Sequence, residues 1–129
     1  MRLTQVNSDL ANTNGNLNDL NTTGGIINIL QGTDAWSNIY KNRFGICFFQ
    51  CSIHISVGFP VWGDQKIATV SFPPKEGLVK NIVLYSTGTG KAINGRINIS
   101  DLGEVKLYIV DPVPEGGVTI QEGFAYIGK

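Results

Sequence analysis

From Ile26 to Lys129 apolar residues recur at every second position in short runs, and Gly, Pro, Asn or Asp interrupts the runs about every ten residues. A period of two cannot form one apolar stripe on a helix of 3.6 residues per turn, but on a strand it makes one dry face and one wet face. The clearest case runs from Phe44 to Val57. Phe49, Cys51, Ile53, Ile55 and Val57 fall on one face, and Gln50, Ser52, His54 and Ser56 on the other. At Ile46–Phe49 every residue is apolar, which predicts cover on both faces, one by the core and one by a neighbouring subunit.

The same reading places strands at Ile26–Leu30, Trp36–Tyr40, Ile67–Phe72, Asn81–Ser86, Ala92–Ser100, Val105–Ile109, Val118–Gln121 and Phe124–Ile127. A turn is expected at Thr33-Asp34, with Trp36 as a packing residue. Pro73-Pro74 ends one strand because two missing amide donors forbid an interior ladder. Asp101-Leu102-Gly103 reads as a tight hairpin turn, with Ile93, Ile97 and Ile99 inward and Asn94, Arg96 and Asn98 outward. Eight or nine short strands without a helix among them predict an all-β fold, an antiparallel jelly-roll-like sandwich or barrel over residues 26–129.

Ahead of this head, Leu3, Val6, Leu10, Thr13, Leu17 and Leu20 recur at alternating spacings of three and four. This is a heptad seam, and it predicts a short N-terminal coiled-coil helix in a stalk and shoulder of residues 1–25. Its Asn-rich, Gly15-interrupted sequence has weak helix propensity, so association must stabilise it. Leucine at most seam positions does not choose the number of strands. Leu3, Val6, Leu10, Leu17 and Leu20, with Ile46 and Phe48 of the head, are the expected oligomer interface.

Composition removes several classes of function. Ten Lys and Arg balance ten Asp and Glu without runs of one sign, which disfavours nucleic acid and anionic membrane as partners. The longest apolar runs fall far short of the roughly 20 residues that span a bilayer, so no membrane insertion is expected, and Met1–Leu10 lacks a signal-peptide core. The chain is expected to be made in the cytoplasm. Cys47 and Cys51 in one strand would stand roughly 13 Å apart, too far for a disulfide. With His54 the single histidine, no metal site and no cofactor are expected.

Catalysis is not expected either. Gly88-Thr89-Gly90-Lys91 is not a phosphate loop, because Tyr85 and Ala92 stand where its first Gly and its hydroxyl residue belong. The carboxylates mostly lie at turns, where they cap backbone. Binding has better candidates. Trp62 beside Gly63 and Asp64 offers a flat apolar face next to hydrogen-bond acceptors, as a sugar ring requires. His54, Arg96, Tyr40, Arg43, Lys66 and Tyr85 are the side chains able to complete such a site; packing of Trp62 under its own Pro60 loop is the other reading.

Val6–Leu20, the Gly24-Gly25 shoulder, Gln50–Val57, the run from Lys66 to Pro73, and Ile93–Ile99 leading through Gly103 into Val105–Ile109 together resemble the receptor-binding proteins of tailed phages that infect Gram-positive bacteria, particularly those at lactococcal siphophage baseplates. The resemblance is one of architecture and extends over most of the chain. It implies a homotrimer at the virion tail tip or baseplate, in contact with other tail proteins, whose jelly-roll-like head binds host cell-wall polysaccharide or teichoic acid without breaking it. Saccharide sites of that family combine a Trp, an Asp, a His and an Arg, and Trp62, Asp64, His54 and Arg96 are the matching types here. The interlaced β-prism neck of some members has no counterpart beyond Ile26–Leu30. The alternative is a structural baseplate or tail-tip component that contacts only virion proteins.

Overall fold

The computed structural model describes residues 23–86 and 88–129. The heptad positions Leu3, Val6, Leu10, Thr13, Leu17 and Leu20, and the coiled coil expected there, lie outside the described residues. The described chain is all-β, without a helix, and forms nine strands: β1 (Thr23–Gly24), β2 (Ile27–Ile29), β3 (Thr33–Lys41), β4 (Ile46–Ile55), β5 (Gln65–Val70), β6 (Leu78–Tyr85), β7 (Ala92–Ile99), β8 (Glu104–Ile109) and β9 (Val118–Ile127). They make one curled antiparallel sheet in the order β1-β3-β4-β9-β6-β7-β8-β5-β2.

The two edge strands of this sheet, β1 and β2, are consecutive in sequence, with only Gly25 and Ile26 between them. Two residues span at most about 7 Å, so the sheet has to curl until its edges meet. Gly25 sits in that corner and donates its N–H to the Ile39 carbonyl at 2.9 Å. Ile26 donates to Ser71 Oγ at 2.8 Å, and Ser71 N–H returns a bond to the Ile26 carbonyl at 3.0 Å. A side chain on Gly25 would come within 2.9 Å or less of Ser71, Ile39 and Phe72.

Curling folds the sheet into two halves, β1-β3-β4-β9 and β6-β7-β8-β5-β2. They are joined at one residue pair, Tyr85 with Thr119, beyond which β6 and β9 diverge. Lys80 on β6 bridges the divergence. Its Nζ donates to Glu122 Oε2 at 3.0 Å and to the Gly123 carbonyl at 3.2 Å, and it lies 5.1 Å from the centre of the Phe124 ring. Between the halves lies a single core, built by Phe49, Ile53 and Ile55 of β4 with Leu84, Ile97, Ile99, Leu107, Ile109 and Ile120, all essentially inaccessible. Phe49 meets Phe124 edge to face at 5.7 Å.

Turns follow local chemistry. In the β7–β8 hairpin Gly103 takes φ +81° and donates to the Ser100 carbonyl, while Ser100 Oγ accepts from the N–H of Leu102 and Glu104. Lys41 lies near both ends of the described chain, pairing with Thr23 in the sheet and donating from Nζ to the Lys129 carbonyl at 3.3 Å.

Five details differ from the sequence reading. The sheet begins at Thr23, ahead of Ile26. Thr33-Asp34 is not a turn but part of β3. A bulge between Asp34 and Trp36 adds one residue opposite β4, and Trp36, which alternates with buried Ile39 in the same way as Asn38 and Tyr40, lies on the outer face, where it is 49% exposed rather than packed. Val57 lies beyond the end of β4 and is exposed rather than on the dry face. At Ile46–Phe49 the core covers Cys47 and Phe49, whereas Phe48 is half-buried against Tyr40 and Ile46 is exposed on the outside.

Both cysteines are buried free thiols. Burial pushes the Cys51 thiol up to about 12 from its ordinary 9.0, outweighing a backbone hydrogen bond from Glu122, and raises Cys47 as well. Two outcomes are expected. Gly25→Val, which over-packs the corner, should lower the unfolding free energy by about 1–3 kcal/mol in urea titrations. Because the folded thiol titrates above the unfolded one, its stabilising share is intact below pH 9 and is lost as pH rises towards 12. Urea midpoints should fall over that window, and Cys51→Ala should flatten the slope.

Candidate functional site

The outer face of the half built by β6, β7 and β8 carries the polar residues that strand alternation directs away from the core. Register aligns Asn81 of β6 with Arg96 of β7, and Arg96 with Tyr108 of β8, so three side chains form one row across the strands. The Arg96 guanidinium lies over the Tyr108 ring, 4.7 Å from its centre. Above the row is a shallow depression of about 200 Å³ lined by Asn81, Asn94, Gly95, Arg96, Tyr108 and Val110. A second of about 360 Å³ adjoins it over Asn81, Val83 and Asn94.

The loop from Ser56 to Asp64 arrives beside this row. Trp62 donates its N–H to the Ile109 carbonyl at 2.9 Å, one residue from Tyr108. Asp64 Oδ1 lies 3.9 Å from Arg96 Nη2, both side chains 43% exposed. At that distance and exposure the pair orients the guanidinium more than it stabilises the fold. Trp62 is the one non-glycine residue among those described with positive φ, at +65°, and it is 70% exposed. A bulky residue held in the left-handed region with its ring in water gains nothing for the core. The packing of Trp62 under the Pro60 loop is therefore not what this structure shows.

Of the residues singled out in the sequence, Trp62, Asp64 and Arg96 come from one neighbourhood. His54, Tyr40 and Arg43 stand on the opposite half. His54 is on β4, paired with Thr33 and Thr119, and lies so close to Gly117 that any side chain there would collide with its ring. Tyr40 stacks on Phe48 at 5.3 Å, and Arg43 lies over Phe44 at 5.0 Å in the β3–β4 hairpin. Lys66 pairs with Glu104 at 3.2 Å, and Tyr85 ends β6 opposite Thr119. Asn81, Asn94 and Tyr108 join the site without having been singled out. Outward positions of alternating strands carry the signal for them, but only the strand order tells which outward residues meet.

The group supplies amides that both donate and accept, a carboxylate that accepts, a guanidinium that donates, and two aromatic rings. It suits a flexible, hydroxyl-rich ligand lying along a surface. Among the described residues no cluster of His, Cys, Asp and Glu is arranged to hold a metal ion. No protein-family model, curated protein or solved structure matches this chain.

The backbone at Trp62 gives a test that needs no ligand. Asn tolerates the left-handed region far better than Trp, and little burial is lost at this position. Trp62→Asn should raise the unfolding free energy by roughly 0.5–1 kcal/mol in urea titrations, as expected where a residue is retained at a cost to stability.

Proposed function

We propose that this chain is a non-catalytic adhesion protein whose head binds a saccharide through the outer face of β6, β7 and β8 and the Trp62 loop. The observation that carries the proposal is the exposed Trp62 with its left-handed backbone, adjoining the Arg96–Asp64 pair and the Asn81–Arg96–Tyr108 row. In this reading the indole stacks on the C–H face of a sugar. Asp64 accepts from its hydroxyls, and Arg96, Asn81 and Asn94 supply donors. His54, Tyr40 and Arg43 take no part.

The wider reading follows from the family resemblance. The curled sheet is a jelly-roll-like head over residues 26–129, carried by a coiled-coil stalk within residues 1–25. Three copies assemble at the tail tip or baseplate of a phage virion and bind cell-wall polysaccharide or teichoic acid of a Gram-positive host. Two features of the fold support a presenting role. Thr23 and Lys129 emerge near Lys41, at the end of β3 opposite Thr33. The Trp62 loop leaves the far end of β4, at Ile55, so it points away from the attachment. Three shallow sites facing one surface would gain by avidity what each lacks alone. The structural-component alternative draws on the uncharged outer face of β3, β4 and β9.

Binding of purified protein to wall polysaccharide and teichoic-acid fragments, followed by calorimetry or a glycan array, tests the proposal. The wild-type chain should bind at least one Gram-positive wall polymer without releasing reducing ends. Trp62→Ala and Arg96→Ala should each weaken binding about tenfold or more, equivalent to 1.4 kcal/mol. Failure of the wild type to bind any such polymer, or unchanged binding by both variants, would overturn it.

A further inference from the structure

Besides Trp62, one other aromatic side chain on the half built by β5–β8 is largely exposed among the described residues. Tyr85 ends β6 and is 57% exposed. Ile82 and Leu84 of the same strand are buried, so alternation directs Asn81, Val83 and Tyr85 to one outer face. Between Trp62 and Tyr85 lie the two depressions already described. Both are lined by Asn81, Asn94 and Gly95, so they form one continuous trough from Val110, just past β8, to Val83 on β6. Gly95 lies at its floor. On the core side a Cβ at Gly95 would come within 2.7 Å of Leu84 and 3.2 Å of Ile109, so β7 sits low over the core there and the hollow opens above it.

The trough crosses the strands instead of following one. Trp62 is held beside Ile109 on the β5 side of β8, and Ile109, Gly95 and Ile82 are aligned across β8, β7 and β6. Tyr85 lies three residues beyond Ile82 on β6. Three strand spacings of about 4.8 Å across and three residues of about 3.4 Å along put the two aromatics roughly 17 Å apart, a span that one sugar ring cannot bridge and a line of about three or four can. The interval is polar. Asn81, Asn94 and Arg96, with Asp64 at the side, offer donors and acceptors from successive strands.

From this spacing we infer that the trough holds an interior stretch of an extended polysaccharide chain, with Trp62 and Tyr85 as stacking platforms at its two ends, rather than the terminal sugar of a branch. This rests on the saccharide reading of the face, and adds to it the length and direction of the bound chain and a binding role for Tyr85. A terminal sugar reaches one aromatic and leaves the rest of the trough wet. A chain laid across β8, β7 and β6 engages both rings and the amides between them, and aromatic anchors of this kind carry a large share of binding energy.

Partial hydrolysis of Gram-positive wall polysaccharides gives fragments graded from two sugar units to about five, too short to occupy two such sites at once, so avidity does not enter calorimetric titrations with them. Wild-type affinity should rise about tenfold or more from two units to four and level off at five. Tyr85→Ala should weaken four-unit binding about tenfold and change two-unit binding less than about twofold, whereas Tyr85→Phe, which keeps the ring, should bind like the wild type. Equal affinity for two and four units, binding confined to polyol-phosphate chains without sugar rings, or four-unit binding left intact by folded Tyr85→Ala would each overturn the inference. If circular dichroism shows that Tyr85→Ala does not fold, the wild-type length series decides. Length-independent binding that Trp62→Ala abolishes removes the extended chain and keeps the saccharide site; a wild type that binds no fragment of any length removes both.

Discussion

The fold depends on a short connection. Because Gly25 and Ile26 must join the first and last strands of a nine-stranded sheet, the sheet cannot remain open, and its curl creates the enclosed space in which the core collects. Sheets twist in one sense by themselves, but twist alone does not bring two edges together. Here the hydrogen bonds of Gly25 with Ile39 and of Ile26 with Ser71 hold the edges at one corner. A residue with any side chain at Gly25 would displace at least one of these walls.

Closure at one corner leaves the sheet under-paired elsewhere, between β6 and β9. A single residue pair joins the halves at Tyr85 and Thr119, and Lys80 spans the widening gap with its ammonium group rather than its backbone. The aliphatic stem reaches across while the charged end finds a carboxylate, a carbonyl and an aromatic ring. The arrangement lets two outer faces of different character coexist on one small sheet, one with charged and amide side chains, the other uncharged.

Much of the secondary structure was legible in the sequence, because each strand buries one face and alternation records it directly. β7 and β8 follow the pattern residue by residue, and β4 departs from it at Ser52, which is buried at an outward position. Trp36 suggests packing by its size, although alternation from buried Ile39 puts it outside with Asn38 and Tyr40; the bulge changes the parity only of Thr33 and Asp34 before it. β1 was invisible because two residues carry no period. The strand order was also beyond reach: every strand has a dry face, so any could neighbour any other. For that reason Trp62, Asp64 and Arg96 could be recognised as suitable types, whereas their company with Tyr108, Asn81 and Asn94, and their separation from His54, Tyr40 and Arg43, required the pairing of β6, β7 and β8.

The long ladder between β4 and β9 has a kinetic meaning. Its partners are 63 to 81 residues apart in the chain, from Ile55 with Val118 to Ile46 with Ile127. The strand at the centre of the core therefore waits until residues 63 to 81 positions further along have been synthesised before its free edge is paired. Non-local contacts of this kind make folding slow, since the loop must be closed before any contact compensates for it. Until then Phe49, Ile53 and Ile55 are exposed on an open edge, and a nascent chain is most prone to pairing with the wrong neighbour at that stage.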